Sequence, residues 1–190
     1  YHDVMSSMER DITAMHEMVN RLHGMREQIE GLLKTLKSDQ KYAGVARDAE
    51  TVVEPAFTID KPEGMLHVLN GNPELAFEAY SKEFGTGVMS KMRLFRAEIK
   101  KLHPTGVAAK LAEIKKSGKI TDDRKEVIDG RTYHVIEIEE GGTKAPSRIK
   151  YKIGETGDSA YVLKIRALEE AGEAIIEKLD VMLESFVVRD

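Results

Sequence analysis

Residues 177–190 read EKLDVMLESFVVRD, and the reading of this stretch decides the fold. Leu179, Met182 and Leu183 fall three and one residues apart, so they share one side of a helix. Ser185-Phe186-Val187-Val188 then turns to aromatic and β-branched residues that suit an extended strand. The pattern predicts a helix covering a sheet, with Phe186 to Val188 returning to that sheet as a last strand. Just upstream, Glu169 and Glu170 stand where a helix begins and its dipole favours negative charge, and Ala174 and Ile175 extend the apolar side.

Working backwards, three segments read as the strands of that sheet: RTYHVIEIE (131–139), SRIKYKI (147–153) and AYVLKIRA (160–167). The loops EGGTKAP and GETGDS between them are rich in glycine and suit antiparallel hairpins. Alternation in the second strand sets Ile149, Tyr151 and Ile153 on one face and Arg148, Lys150 and Lys152 on the other. In the third strand Leu163 and Ile165 oppose Lys164 and Arg166.

Before the strands, Val107, Leu111 and Ile114 share a face in GVAAKLAEIKKSG, an amphipathic helix that Gly118 stops. Residues 89–99, MSKMRLFRAEI, fit a strand with Met92, Leu94 and Ile99 inward, and fit a helix almost as well. Asn72-Pro73 suits the start of a helix through Phe84, with proline in its first turn and Gly85-Thr86-Gly87 closing it. Phe57 and Ile59 alternate with polar residues, a Pro-Glu-Gly turn follows, and Met65 to Leu69 read as a second short strand.

The first part of the chain has another period. Met5, Met8, Ile12, Met15, Val19, Leu22, Ile29, Leu33 and Leu36 step by fours and threes around a gap at Arg26, a heptad stripe over residues 5–37. One helix of that length is about 50 Å long, which calls for a partner helix. SDQKYAGVARDAETVVE (38–54) is expected to fold back as a second helix, with Tyr42, Val45, Ala49, Val52 and Val53 facing the first. Pro55 ends it. The expected organisation is an N-terminal helical hairpin or coiled-coil segment over 1–54 and an α/β domain over 55–190.

The 190 residues carry 29 Lys+Arg against 33 Asp+Glu, a formal charge of −4, so the basic field of a general nucleic-acid binder is missing. The absence of cysteine removes thiol catalysis, thiolate metal sites and disulfides together. No apolar stretch approaches the roughly 18–20 residues that span a bilayer. The chain opens Tyr1-His2-Asp3 without methionine, from which loss of an export segment or of a tag is expected, export being favoured slightly.

Candidate sites are few. His16 and His23 stand seven apart on the heptad helix, in register with Glu9 and Glu30. Metal pairs on one helix use i,i+4 spacing, so a polar edge is expected there. The methionines at heptad positions suit core packing or an adaptable partner surface better than a copper site. The stripe Met5, Met8, Ile12, Met15, Val19, Leu22, Ile29 and Leu33 is therefore the candidate interaction seam, filled either within the chain or by another chain. Arg148, Lys150, Lys152, Lys164 and Arg166 are read as a basic sheet face for an acidic partner or anionic lipid, against which stands cross-strand pairing with Glu137, Glu139 and Glu140. His67, His103 and His134, with Asp122, Asp123, Asp129 and Asp158, show no spacing that selects a catalytic or metal cluster, and Ser159 has no nucleophile elbow around it.

Taken together, the extended FTIDKPEGM (57–65), the strands DGRTYHVIEIE (129–139) and AYVLKIRA (160–167), and the helix running into LESFVV (183–188) resemble the PsbP-like family over about 130 residues. Phe57, Ile59, Pro62 and Gly64 match the family's opening pattern, and Met65 stands where an aromatic is usual. The resemblance implies an α+β fold, an antiparallel sheet flanked by helices in an α/β/α sandwich, preceded here by the heptad helix or hairpin. It implies a non-enzymatic binding or scaffold subunit of a larger envelope or membrane-associated assembly, without cofactor, extracytoplasmic rather than cytoplasmic. Docking would use the N-terminal helix, by a protein partner or self-association, and the sheet surface. The alternative reading is a small-ligand or metal-binding exported protein.

Overall fold

A computed structural model describes residues 2–41, 49–140 and 146–190, and the side chains of these except 34–41. The chain divides into two compact units, residues 1–41 and 42–190. The first is a single helix, α1 (His2–Lys41), about 60 Å long at 1.5 Å per residue. The expected helix over 38–54 is corrected at its end: Glu50–Val53 is a strand, β1. Val52 and Val53 are β-branched and pair with Ile59 and Thr58 of β2 (Phe57–Lys61), and Val52 is buried in the core. Tyr42 and Val45 lie outside the described residues.

The second unit is built on a seven-stranded antiparallel sheet ordered β3-β4-β5-β9-β8-β7-β6. Its strands are β3 (Met65–His67), β4 (Leu75–Ser81), β5 (Phe95–Leu102), β6 (Lys119–Ile128), β7 (Arg131–Glu140), β8 (Ser147–Glu155) and β9 (Ala160–Leu168). Segments 131–139, 147–153 and 160–167 are strands as expected. β4 replaces the expected helix over 73–84. Asn72 accepts a hydrogen bond from the Glu74 amide at 2.9 Å, a turn rather than a helix start. Phe77, Ala79 and Ser81 then alternate into the core between β3 and β5. Helix-forming composition yields to strand pairing on both sides.

β5 starts later than residues 89–99 suggest, and Phe95, Ala97 and Ile99 point inward, so Ile99 is placed as expected while Met92 and Leu94 are only half-buried. β6 has no counterpart in the sequence reading. It is an exposed edge strand joined to β7 by Asp129-Gly130, whose φ angles of 51° and 76° make the tight two-residue hairpin that matches strand twist.

Each face of the large sheet is covered differently. On one lies α2 (Val107–Lys116), with Val107 and Ile114 buried and Leu111 packed against Ile136, Ile138, Ile149, Tyr151, Ile153 and Val162. On the other lie α3 (Glu173–Ser185) and a three-stranded sheet ordered β1-β2-β10, β10 being Val187–Val188. Ile176, Leu179, Met182 and Leu183 of α3 enter the larger core with Phe57, Phe95 and Leu163. The expected return of the tail to the sheet beneath its helix is corrected. α3 itself lies across that face, so the exiting chain pairs with the open side of β2, Val187 to Thr58 and Val188 to Phe57. Ser185 makes the corner: its hydroxyl donates to the Met182 carbonyl at 3.1 Å and accepts from the Asp60 amide at 2.8 Å.

Candidate functional site

α1 presents its stripe openly. Met5, Ile12, Val19 and Leu33 form one heptad row with Arg26 in its gap, and Met8, Met15, Leu22 and Ile29 form the other. All these apolar side chains are between 47% and 66% exposed. Beside the second row run Val4, Asp11, Met18, Met25 and Leu32, so the apolar face is wider than a two-row seam. Sequence reading missed this third row, although its seven-residue spacing was there to find. Glu9, His16, His23 and Glu30 border the other side. Arg26 pairs with Glu30 at 3.2 Å along the same helix. Gly24 and Gly31 stand on the outer face, where an added Cβ would meet nothing within 4 Å. Leu36 lies outside the described side chains.

The basic sheet face does not exist as one surface. Across the β8–β9 ladder Lys164 stands opposite Tyr151 and Arg166 opposite Ile149, while Lys150 and Lys152 stand opposite Ile165 and Leu163. Residues directly opposite one another share a face. Arg148, Lys150 and Lys152 therefore lie under α3, and Lys164 and Arg166 lie on the α2 side.

Under α3 the three cations are taken up locally. Arg148 pairs with Glu173 at 3.0 Å, and Lys150 pairs with Glu137 at 3.3 Å and with Asp180. Lys152 is fully buried, with its ammonium 4.9 Å from the centre of the Tyr133 ring. It donates to the carbonyls of Leu183 at 2.9 Å and Glu184 at 3.4 Å. Those carbonyls belong to the last turn of α3, where a helix presents acceptors without partners of its own. Burial pushes the Lys152 ammonium below the usual lysine range, with Arg124 acting in the same direction and Glu126 and Glu184 against it.

On the α2 side a cavity of about 290 Å³ opens between helix and sheet, with Leu102 and Val162 as apolar lining and Tyr151, Glu98, Lys100, Lys110, Glu113 and Lys164 as polar lining. Glu113 pairs with Lys110 at 3.4 Å and Glu98 with Arg96 at 2.8 Å. Among the described residues Lys100 and Lys164 make no ion pair, and the Lys164 ammonium lies 5.8 Å from the Tyr151 ring centre. Burial, with Glu140, Glu113 and Glu98, pushes the Tyr151 hydroxyl up to about 12, so it remains a proton donor at neutral pH. Sequence reading assigned Tyr151 to the core and passed over Glu98 and Lys100. The alternation of Arg96, Glu98 and Lys100 against Phe95, Ala97 and Ile99 was the signal available.

The remaining candidates are dispersed. His67 stands 3.5 Å from Glu50 and 5.1 Å from the Phe77 ring centre. His103 accepts from the Thr105 amide at 3.2 Å as the cap of the turn before α2. His134 is half-buried in β7. Asp122 pairs with Arg124, Asp123 with Lys115 at 3.4 Å, and Asp158 with the Thr156 hydroxyl at 3.3 Å. Among the described residues no three His, Asp or Glu side chains gather into a metal-binding group.

No protein-family model and no curated protein matches the chain. Among solved structures it is similar to LpqN of Mycobacterium tuberculosis, a protein involved in cell envelope biogenesis, with TM-score 0.52 and 12% identity over 75% of this chain and 91% of that one. It is similar to cyanobacterial PsbP (CyanoP) of Synechocystis sp. PCC 6803, with TM-score 0.51 and 11% identity over 75% of this chain and 94% of that one. A protein of Bacteroides thetaiotaomicron matches with TM-score 0.49 and 10% identity over 75% of this chain, which spans only 49% of that longer chain. At these identities the likeness is one of fold, and the element order, the helix-flanked antiparallel sheet and the likeness to LpqN and cyanobacterial PsbP agree: the chain carries a PsbP-like fold.

Proposed function

We propose that the protein is a non-enzymatic binding subunit of a larger assembly, docking through α1 and presenting its α/β unit. The observation that carries this reading is the exposed seam from Met5 to Leu33, on a 40-residue helix, whose apolar side chains are 47% or more exposed. A patch of that size, rimmed by charge, is what a helix-to-helix interface requires. The α/β unit supports the same reading, because its buried cations serve structure and its histidines are dispersed. An extracytoplasmic, envelope-associated setting is part of the proposal, supported by the envelope role of LpqN. No helix among the described residues is long and apolar enough to cross a membrane. Size-exclusion chromatography with light scattering, together with affinity capture from the native host, tests the proposal. An Ile12→Glu/Leu22→Glu variant should lose whatever the full chain binds. A full chain that stays monomeric and captures nothing overturns it.

A second reading, binding of a small organic anion, is favoured by the cavity beneath α2. Its two carboxylates each have a cation, which leaves Lys100 and Lys164 and the protonated Tyr151 hydroxyl facing an apolar lining. Benzoate and hexanoate are suitable probes, since each joins one carboxylate to a small apolar body. A ligand at one hundred times its Kd should add about 2.7 kcal/mol to stability. A thermal shift abolished by Lys164→Gln supports this reading, and no shift with either probe removes it.

A further inference from the structure

We propose that the occupant of the α1 seam is α1 of a second copy of this chain, running antiparallel, with the two-fold axis level with Gly24. The inference rests on the reading of α1 as a docking element and names its partner.

The orientation follows from Arg26. In a parallel, in-register pair each core position meets itself, so Arg26 would stack on Arg26 of the second copy inside an apolar seam, two like charges withdrawn from water together. The flanking rows would be mismatched as well, because Met18 would border His23 and Met25 would border Glu30 of the other copy. Running the helices in opposite directions separates the two guanidinium groups and brings like rows together, polar row to polar row and apolar row to apolar row.

The register follows from those rows. With the axis level with Gly24, Met15 meets Leu33, Val19 meets Ile29, and Leu22 meets Arg26 of the second copy. Arg26 reaches out of the seam toward its own Glu30, with which it already pairs at 3.2 Å. On the apolar flank Met18 meets Leu32, and Met25 meets its own symmetry mate. On the polar flank His16 meets Glu30, an imidazole N–H facing a carboxylate, and His23 lies near the axis. Sliding one helix by a heptad one way sets Glu9 against Glu30 and His16 against His23. Sliding it the other way carries Met8 and Ile12 past Lys41, the end of the second helix, and sliding two heptads in the first direction sets Asp11 against Met25. Over residues 15–33 the chosen register matches both flanks, and it buries the third apolar row, which a plain two-row seam would leave in water.

The chain has no cysteine, so single spin labels can be placed cleanly. Ser7→Cys and Arg21→Cys lie in one outward-facing heptad row, so the lateral separation is the same for both. At 1.5 Å per residue the two labels at position 7 should be about 51 Å apart along the axis, and those at position 21 about 9 Å apart. Light scattering of the full chain should give twice the single-chain mass, Val19→Glu should return it to the monomer, and Glu30→Lys should weaken the dimer at least tenfold, with His16→Glu restoring it. Equal label distances at the two positions overturn the antiparallel arrangement, and axial separations near 30 Å and 12 Å overturn the register. A monomeric full chain that still captures another partner through α1 overturns this inference and leaves the docking reading intact. A monomer that captures nothing removes both.

Discussion

The ammonium of Lys152 lies 2.9 Å from the carbonyl oxygen of Leu183, so a cation from the middle of the large sheet closes the last turn of the helix that covers it. Its native pKa is depressed from the usual lysine value of 10.5. In the window between that depressed value and 10.5 the unfolded chain binds more protons than the native one, and stability rises with pH. Urea midpoints measured at increasing pH toward 10.5 should therefore climb in the wild type relative to Lys152→Met. The variant should also show faster amide exchange through the end of α3, because the Leu183 and Glu184 carbonyls lose their donor.

Tyr151 should behave in the opposite sense. Its hydroxyl is raised to about 12 from 10.0, so between pH 10 and 12 the native state keeps a proton that the unfolded chain has lost, and stability falls as pH rises. A shift of two units sets an upper limit of about 2.7 kcal/mol on this loss. Tyr151→Phe should remove that alkaline component, and ultraviolet titration should show one tyrosine fewer ionising late.

Phe186 is fully buried, 6.0 Å from the Phe57 ring centre, between a helix end and the strand that closes the small sheet. Phe186→Ala should cost about 3–5 kcal/mol in chemical denaturation. Val181→Ala, on the exposed side of the same helix, should stay within about 0.5 kcal/mol of wild type. Deleting residues 185–190 should destabilise the unit at least as much as Phe186→Ala.

Gly24→Ala and Gly31→Ala should each stabilise α1 by about 1 kcal/mol, because both positions are helical and open on the outer face. Far-ultraviolet circular dichroism on heating should show the helix melting later. Neither change touches the seam, so the mass in solution should not change.

Much of the fold was legible where one face is apolar. Ile149, Tyr151 and Ile153 announce β8, and Leu179 with Met182 and Leu183 announces α3. β4 was hidden because its residues favour a helix locally, and the strands that pair with it on either side cannot be read from one window. β6 was hidden because an edge strand exposed on both faces alternates charge with charge and leaves no apolar period.

The candidate site was legible only within single elements. Alternation correctly set Lys150 against Tyr151, and Lys164 against Leu163. Which of these faces coincide depends on register, and a one-residue offset exchanges every side chain between faces. Lys164 thereby joins Tyr151 and Glu98 on the α2 side. The cavity there is assembled from β5, α2, β8 and β9 together, and no stretch of sequence contains it. The two core rows of α1 are local to one helix, so the heptad spacing described them, while the third row beside them, Val4, Met18, Met25 and Leu32, was missed.

The small sheet bears on how the protein is made. β2 lies close to the start of the α/β unit and completes its pairing with β10 near the end, while the Val188 amide donates to the Tyr133 hydroxyl at 3.0 Å in the core. A chain emerging from the ribosome in N-to-C order can form α1 at once from local contacts, but β2 keeps an unpaired edge and an uncovered apolar face until residue 188 has appeared. Such nascent chains are exposed to aggregation and to chaperone capture. The helix is thus available to assemble before the unit it carries has finished folding.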